Sequence, residues 1–183
     1  MRAFHCQCGG RLFFHSMSCV VCGAIAARCP HCHHVASMSM QLDGSLTCNE
    51  CDGSARLCRN RTDYAVCNAA TELNSSLCRY CAMNRVIPDL AVDDNLEKWR
   101  LLERAKHRVL YGVDRIGLPL ITGLASGVGP ALAFEFKAAG PTPVSTGHAA
   151  GKITINIAEA DSVHREQNRV EFGEPHRTLV GHF

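Results

Sequence analysis

Twelve cysteines, all within the first 81 residues, are the part of this chain whose types and spacing can do chemistry. They fall into spaced pairs: Cys6 and Cys8, Cys19 and Cys22, Cys29 and Cys32, Cys48 and Cys51, then Cys58, Cys67, Cys78 and Cys81. A short C-x-x-C loop aims two thiolates at one ion, and two such loops complete a tetrahedral zinc site. In chain order the cysteines divide into Cys6/Cys8/Cys19/Cys22, Cys29/Cys32/Cys48/Cys51 and Cys58/Cys67/Cys78/Cys81, so about three structural Zn²⁺ ions are the expected cofactors. The second set has the spacing most typical of zinc; an interleaved pairing of neighbours stays open at this level. His5, His31, His33 and His34 stand beside ligands and could replace a thiolate, but four cysteines already fill each shell. Such shells have no open position for water or substrate, so the expected role is structural and no catalytic residue is assigned.

The competing reading is a disulfide framework. The first twelve residues contain charge, cysteine and glycine rather than an apolar leader, which points to a reducing, cytoplasmic setting and to metal. Apolar runs are far short of the roughly 18 residues a membrane span requires. Before Leu90 the apolar content is largely cysteine, alanine and methionine, so metal is expected to stand in for a core there. The formal charge is +2, and twelve thiolates holding three zinc ions would turn it negative. Arg56, Arg59, Arg61, Arg79 and Arg85 could form a local basic patch, yet the balance disfavours nucleic acid and leaves a protein or peptide as the expected partner.

The elements that must position these residues follow in order. Residues 11–14 read as a strand beside the Gly9-Gly10 turn, and residues 24–27 as a short connection. Residues 41–47 read as two short strands about an Asp-Gly turn, which makes the 29–51 segment look like an inserted unit. Asn74-Ser75-Ser76 reads as a surface loop. After Leu90 the cysteines stop. Asp94 with Glu97 suggests a capping box, and Leu96, Trp99, Leu102, Ala105, Val109, Val113 and Ile116 recur at helical spacing until Gly117. Lys98, Arg100, Glu103, Arg104, Lys106 and Arg108 fall on the opposite, solvated face of that helix. Residues 131–138 and 152–158 alternate as strands, and a helix starts near Asp161, with another start at Pro175. The fold class is α+β: tandem zinc-ribbon modules over 1–90, then a long helix and α+β domain over 91–183.

The segment FHCQCGGRLFFHSMSCVVCG from Phe4, CRYCAMNRVIPDL from Cys78, NLEKWRLLERAKHRVLYGVDRIGLPL from Asn95, and GHAAGKITINIAEADSVHREQNRVEFGEPHRTLVGHF from Gly147 resemble the bacterial zinc-binding metallopeptidases that carry an N-terminal zinc ribbon. The resemblance implies peptide-bond hydrolysis by zinc-activated water in the full-length family, with two histidines and a glutamate of an H-E-x-x-H helix. This sequence ends at Phe183, just short of where the resemblance places that motif, so the chain as written is expected to be a truncated and inactive front portion. The Cys29/Cys32/Cys48/Cys51 unit is an addition to the family pattern. By the same resemblance, residues 153–158 are the strand that could pair with an extended substrate. His176 and His182, six apart, lack the i, i+4 geometry of a zinc pair; His164 with Glu166, and lone His148, read as surface or hydrogen-bonding groups, and the glycines of 123–129 lack the lysine of a phosphate loop. The alternative is a non-enzymatic zinc-ribbon adaptor that binds protein or nucleic acid.

Overall fold

The glycines and C-x-x-C loops of the first half turn the chain sharply, and between them only short strands fit. A computed structural model describes residues 3–120, 131–141, 143–173, 175 and 178–182, with the backbone alone at 181 and 182. The chain divides into two compact units, 1–82 and 83–183.

In the first unit β1 (Phe4–His5) and β2 (Arg11–Leu12) form an antiparallel hairpin whose turn uses Gly9 at φ +84°. A meander follows: β3 (Ile25–Arg28), β4 (Val35–Met40), β5 (Leu46–Cys48), β6 (Ser54–Leu57) and β7 (Ala70–Thr71), each antiparallel to the next. The stretch read as a connection is therefore mostly strand β3. Ala26 and Ala27 are small enough to be buried one after the other, so no polar alternation betrays them. The 29–51 segment supplies β4 and β5 to the interior of this sheet and is not a separate insertion. Its Asp-Gly turn forms as expected, with Gly44 at φ +77° and the Ser45 amide donating to Asp43 Oδ1 at 2.9 Å. The shared core is thin: Ala27, Ala36, Met38, Leu46, Ala55 and Ala70, with Cys29 and Cys48 among them. After β6 comes a single helical turn, α1 (Arg59–Thr62), and the 72–76 loop is exposed as expected.

The second unit has a four-stranded sheet in the order β10-β11-β9-β8, comprising β8 (Asn84–Val86), β9 (Ala133–Lys137), β10 (Gly147–Ala149) and β11 (Lys152–Asn156). β8 and β11 run parallel to β9, and β10 pairs antiparallel with β11. Alternation in β9 behaves as expected, with Phe134 and Phe136 buried and Glu135 paired to Lys137 at 2.7 Å. The substrate-pairing expectation for residues 153–158 is not met. β11 has β9 on one side and β10 on the other, which uses both rows of its backbone groups, and residues from Ile157 onward turn into a 3₁₀ segment. Among the described residues the two edges of this sheet are β8 and β10, and β10 is exposed at all its positions.

The long helix α2 spans Asn95–Arg115, and α3 spans Ser162–Glu171. Asp161 caps α3 as a side-chain acceptor for the amides of Val163 at 2.7 Å and His164 at 3.4 Å. Asp94 does not form the expected capping box: its backbone is left-handed at φ 66° with no side-chain cap, and Glu97 pairs with Arg100 instead. The solvated-face reading also fails in part. Glu103, Lys106 and His107 are buried with Trp99, Leu102 and Leu110, while Ile116 is exposed. The start expected near Pro175 lies largely outside the described residues, and Leu179–His182 form a 3₁₀ turn. The glycines of 123–129 lie outside them too.

Candidate metal centres

The three cysteine sets are brought together by three different pieces of local structure. Cys6 and Cys8 flank the β1–β2 turn, and the loop from Cys19 to Cys22 closes with the Gly23 amide donating to the Cys19 carbonyl at 2.8 Å. Cys29 follows β3 directly, and Cys48 ends β5, so the meander itself aligns the second set. Cys58 precedes α1, Cys67 precedes β7, and Cys78 and Cys81 close a loop whose Ala82 amide donates to the Cys78 carbonyl at 2.9 Å.

In each set the four sulfur atoms lie within 4.8 Å of one another. Sγ separations are 3.6 Å for Cys6–Cys22, 3.7 Å for Cys8–Cys19, 3.7 Å for Cys29–Cys51, 3.9 Å for Cys32–Cys48 and 3.8 Å for Cys67–Cys78. A tetrahedron with Zn–S bonds near 2.3 Å has an S–S edge of about 3.8 Å. A disulfide would require about 2.05 Å. All twelve cysteines are free, and their separations match the edges of a zinc tetrahedron. The grouping is the chain-order one, without interleaving of neighbouring pairs.

Two of the histidines beside the ligands, His31 and His34, have other partners. His31 Nε2 meets the Ser54 carbonyl at 2.8 Å, and His34 Nδ1 meets Glu50 Oε1 at 2.5 Å while its ring packs against Phe4. His34 and Glu50 also lie within ligand distance of Cys32, at the margin of the second tetrad. Backbone amides prepare the thiolates: the Cys8 amide above all holds Cys6 at about 6 against burial. At Cys29, burial and the neighbouring Cys48 charge push the thiol up to about 11 despite amides of Cys32 and His31. Zinc must therefore displace protons to occupy the tetrads, and its affinity should fall as pH falls from neutral. A dye-competition titration between neutral and acidic pH checks this; constant or rising affinity on acidification would exclude thiolate ligation.

Exposure separates the tetrads. Cys8 and Cys22 of the first and Cys51 of the second are exposed, whereas Cys58, Cys67, Cys78 and Cys81 are all buried. With the zinc-loaded protein, iodoacetamide should label Cys8, Cys22 and Cys51 first and the third tetrad last, as read by peptide mass spectrometry. Equal rates at all twelve positions would contradict that order.

Sequence reasoning missed the groups packed around the third tetrad. Arg61, expected on a surface patch, is buried and donates to the carbonyls of Ala26 at 2.7 Å, Asn68 at 3.2 Å and Met17 at 2.7 Å. The Asn68 side chain donates to the Phe14 carbonyl at 2.6 Å, tying the first knuckle region to the third. An arginine one turn beyond a ligand carries no pattern that distinguishes it from a surface arginine.

In the second unit, Lys106 Nζ donates to Glu103 Oε1 at 2.6 Å and Asn84 Oδ1 at 2.5 Å, and Asn84 Nδ2 donates to Glu103 Oε2 at 3.1 Å. His107 Nε2 lies 3.2 Å from Glu103 Oε1. A separate polar recess of about 670 Å³ is lined by Asn156, Glu159, His164, Asn168 and Arg169. There Asn168 Nδ2 contacts Glu159 Oε1 at 3.2 Å and His164 Nε2 at 3.1 Å, so His164 serves hydrogen bonding and not a zinc pair with Glu166. His148 lies on exposed β10.

Residues 3–92 match a zinc-ribbon domain, and residues 95–183 match the family described as "Putative zinc-binding metallo-peptidase". The two matches lie end to end, each over just under half of the chain, and agree with the resemblance to zinc-binding metallopeptidases that carry an N-terminal zinc ribbon. It is 33% identical over 186 residues to uncharacterized proteins of Mycobacterium bovis and of two Mycobacterium tuberculosis strains, all of this chain aligning with 51% of each relative. The chain thus spans about half the length of the curated relatives it matches. No solved structure matches. Zinc is the metal of both matched families, and the tetrads have the donor set and spacing to hold it. Among the described residues no helix is long and apolar enough to cross a membrane.

Proposed function

We propose that this chain is the zinc-ribbon region and leading part of a zinc-dependent peptidase whose hydrolytic centre lies in sequence outside these 183 residues. The match of residues 95–183 to the metallopeptidase family carries this reading. The twelve cysteines are its structural ligands, three ions per chain, and a closed four-thiolate shell leaves them no part in activating water. Zinc in an H-E-x-x-H site would supply the Lewis acid and lowered water pKa for hydrolysis, and the 183 residues contain no such motif. What this part contributes is the sheet and helix of the second unit, with β10 offering a free edge to an extended peptide.

Assays of this chain and of a full-length mycobacterial relative, both zinc-loaded, on an unfolded protein substrate test the proposal. The relative should cleave and lose activity to chelators, its sequence outside the matched span should contain H-E-x-x-H, and this chain alone should not cleave. Cleavage by the 183 residues alone would place a hydrolytic centre within them and overturn the proposal, and a relative without motif and activity would favour the non-enzymatic adaptor instead. Elemental analysis should give three zinc ions per chain; two or fewer would break the ligand assignment.

A further inference from the structure

Zn²⁺ held by four thiolates is a unit of two net negative charges. At the first two tetrads, exposed Cys8, Cys22 and Cys51 let water screen that charge. The third has no such outlet, since all four of its cysteines are at most 3% exposed. A buried charge is tolerated only when it is paired.

Two guanidinium groups are buried in the same region. Arg28 is 4% exposed, donates through Nη2 to Cys78 Sγ at 3.9 Å, and lies 3.9 Å above the centroid of the Tyr80 ring. Its Nε has no hydrogen-bond partner among the described residues, so hydrogen bonding alone does not account for its burial. Arg61 reaches only neutral carbonyls, those of Ala26, Asn68 and Met17. Arginine cannot shed its proton in a protein. Burial lowers the Arg61 guanidinium from its ordinary value, and the Cys67 and Cys58 thiolates oppose that shift. The carbonyl of Asn68 accepts from both the Arg28 amide at 3.1 Å and the Arg61 side chain, so one backbone group fixes both arginines next to Cys67.

We propose that Arg28 and Arg61 are the countercharges of the third zinc centre, making Cys58/Cys67/Cys78/Cys81 with its ion an electrically neutral buried unit, distinct from the two surface tetrads. Neither arginine is a ligand. They are positioning residues that favour the thiolate form of the tetrad and let it hold a divalent ion away from water. The inference does not depend on the hydrolase reading.

Chelator titration of the zinc-loaded full chain gives the first test. Arg28→Met keeps the apolar length of the side chain and removes the charge; one ion of three should be released at roughly 10–100-fold lower chelator concentration, the usual scale for groups behind a metal ligand. Arg28→Lys should retain most of the wild-type affinity. Unchanged affinity in Arg28→Met, or equal losses in the Met and Lys variants, would overturn the proposal.

A second measurement needs no arginine variant. With iron in place of zinc, reduction of a four-thiolate site from ferric to ferrous adds one negative charge, so its potential reports the local countercharge. The third tetrad should have the highest potential of the three, assigned with Cys8→Ala and Cys51→Ala proteins that each lack a surface tetrad. Burial without countercharge would give it the lowest. That result, or one common potential for all three, would overturn the proposal even if Arg28→Met did not fold.

Discussion

Stripping zinc from the protein with a strong chelator should unfold the first unit and leave the fluorescence of Trp99 close to its native value. Trp99 is the sole tryptophan of the chain and is fully buried in α2, so its emission reports the second unit alone. The asymmetry follows from what fills each interior. Around the meander half of the core is alanine, joined by Met38, Leu46 and two cysteines, too little apolar volume to offset the ordering of some eighty residues. A structural zinc ion contributes about 10–16 kcal/mol in small zinc folds, comparable with the 5–15 kcal/mol by which a whole domain is stable. In the second unit Trp99, Leu102, Leu110, Phe134, Phe136 and Ile155 supply an apolar core of large side chains. Hydrogen exchange read by mass spectrometry should therefore show β3, β4 and β5 losing protection on chelation while α2 and β9 keep theirs. Loss of the Trp99 signal in step with the strands would mean one cooperative unit, and retained protection in β4 would mean that zinc is not what holds the meander.

The cysteine sets were legible because C-x-x-C spacing is a local geometric demand that any zinc site makes, whatever surrounds it. Phe134 and Phe136 of β9 and the Asp161 cap of α3 were legible for the same reason: alternation and capping are decided within a few residues. The misread positions are those where a distant partner reverses the local preference. Ala26 and Ala27 carry no strand signal, yet both are fully buried and pair with Ser37 and Ala36 of β4. Arg61 became buried because backbone carbonyls from Met17, Ala26 and Asn68 converge on it. β11 reads as an available strand until β10 is seen folded back against it, a matter of the turn at Ala150 and Gly151, both at positive φ. Glu103, Lys106 and His107 are polar by type, so periodicity assigned the first two to solvent; their mutual pairing, Asn84 and the two phenylalanines of β9 help make their burial tolerable.

That network should make Lys106→Met one of the most destabilising single substitutions in the second unit, at about 3–5 kcal/mol, because it strands the Glu103 charge without its partner. Burial alone would raise the Glu103 carboxyl; the Lys106 ammonium and then His107 outweigh it and hold it at about 2 against an ordinary 4.5. A carboxyl lowered on folding stabilises above its unfolded value and loses that contribution as pH falls toward the folded one. The window is therefore about 4.5 down to 2, and the contribution is on the order of 3 kcal/mol. Adding Glu103→Gln to Lys106→Met should recover much of the loss, since glutamine can still engage Asn84 and His107 and needs no countercharge. Urea unfolding followed at Trp99 measures all three proteins against wild type. The double variant should also have a flatter stability profile between pH 4.5 and 2, which a pure packing defect would not produce. Lys106→Met within about 1 kcal/mol of wild type, or a double variant no better than the single, would show that the pair is not what holds α2 to β8 and β9.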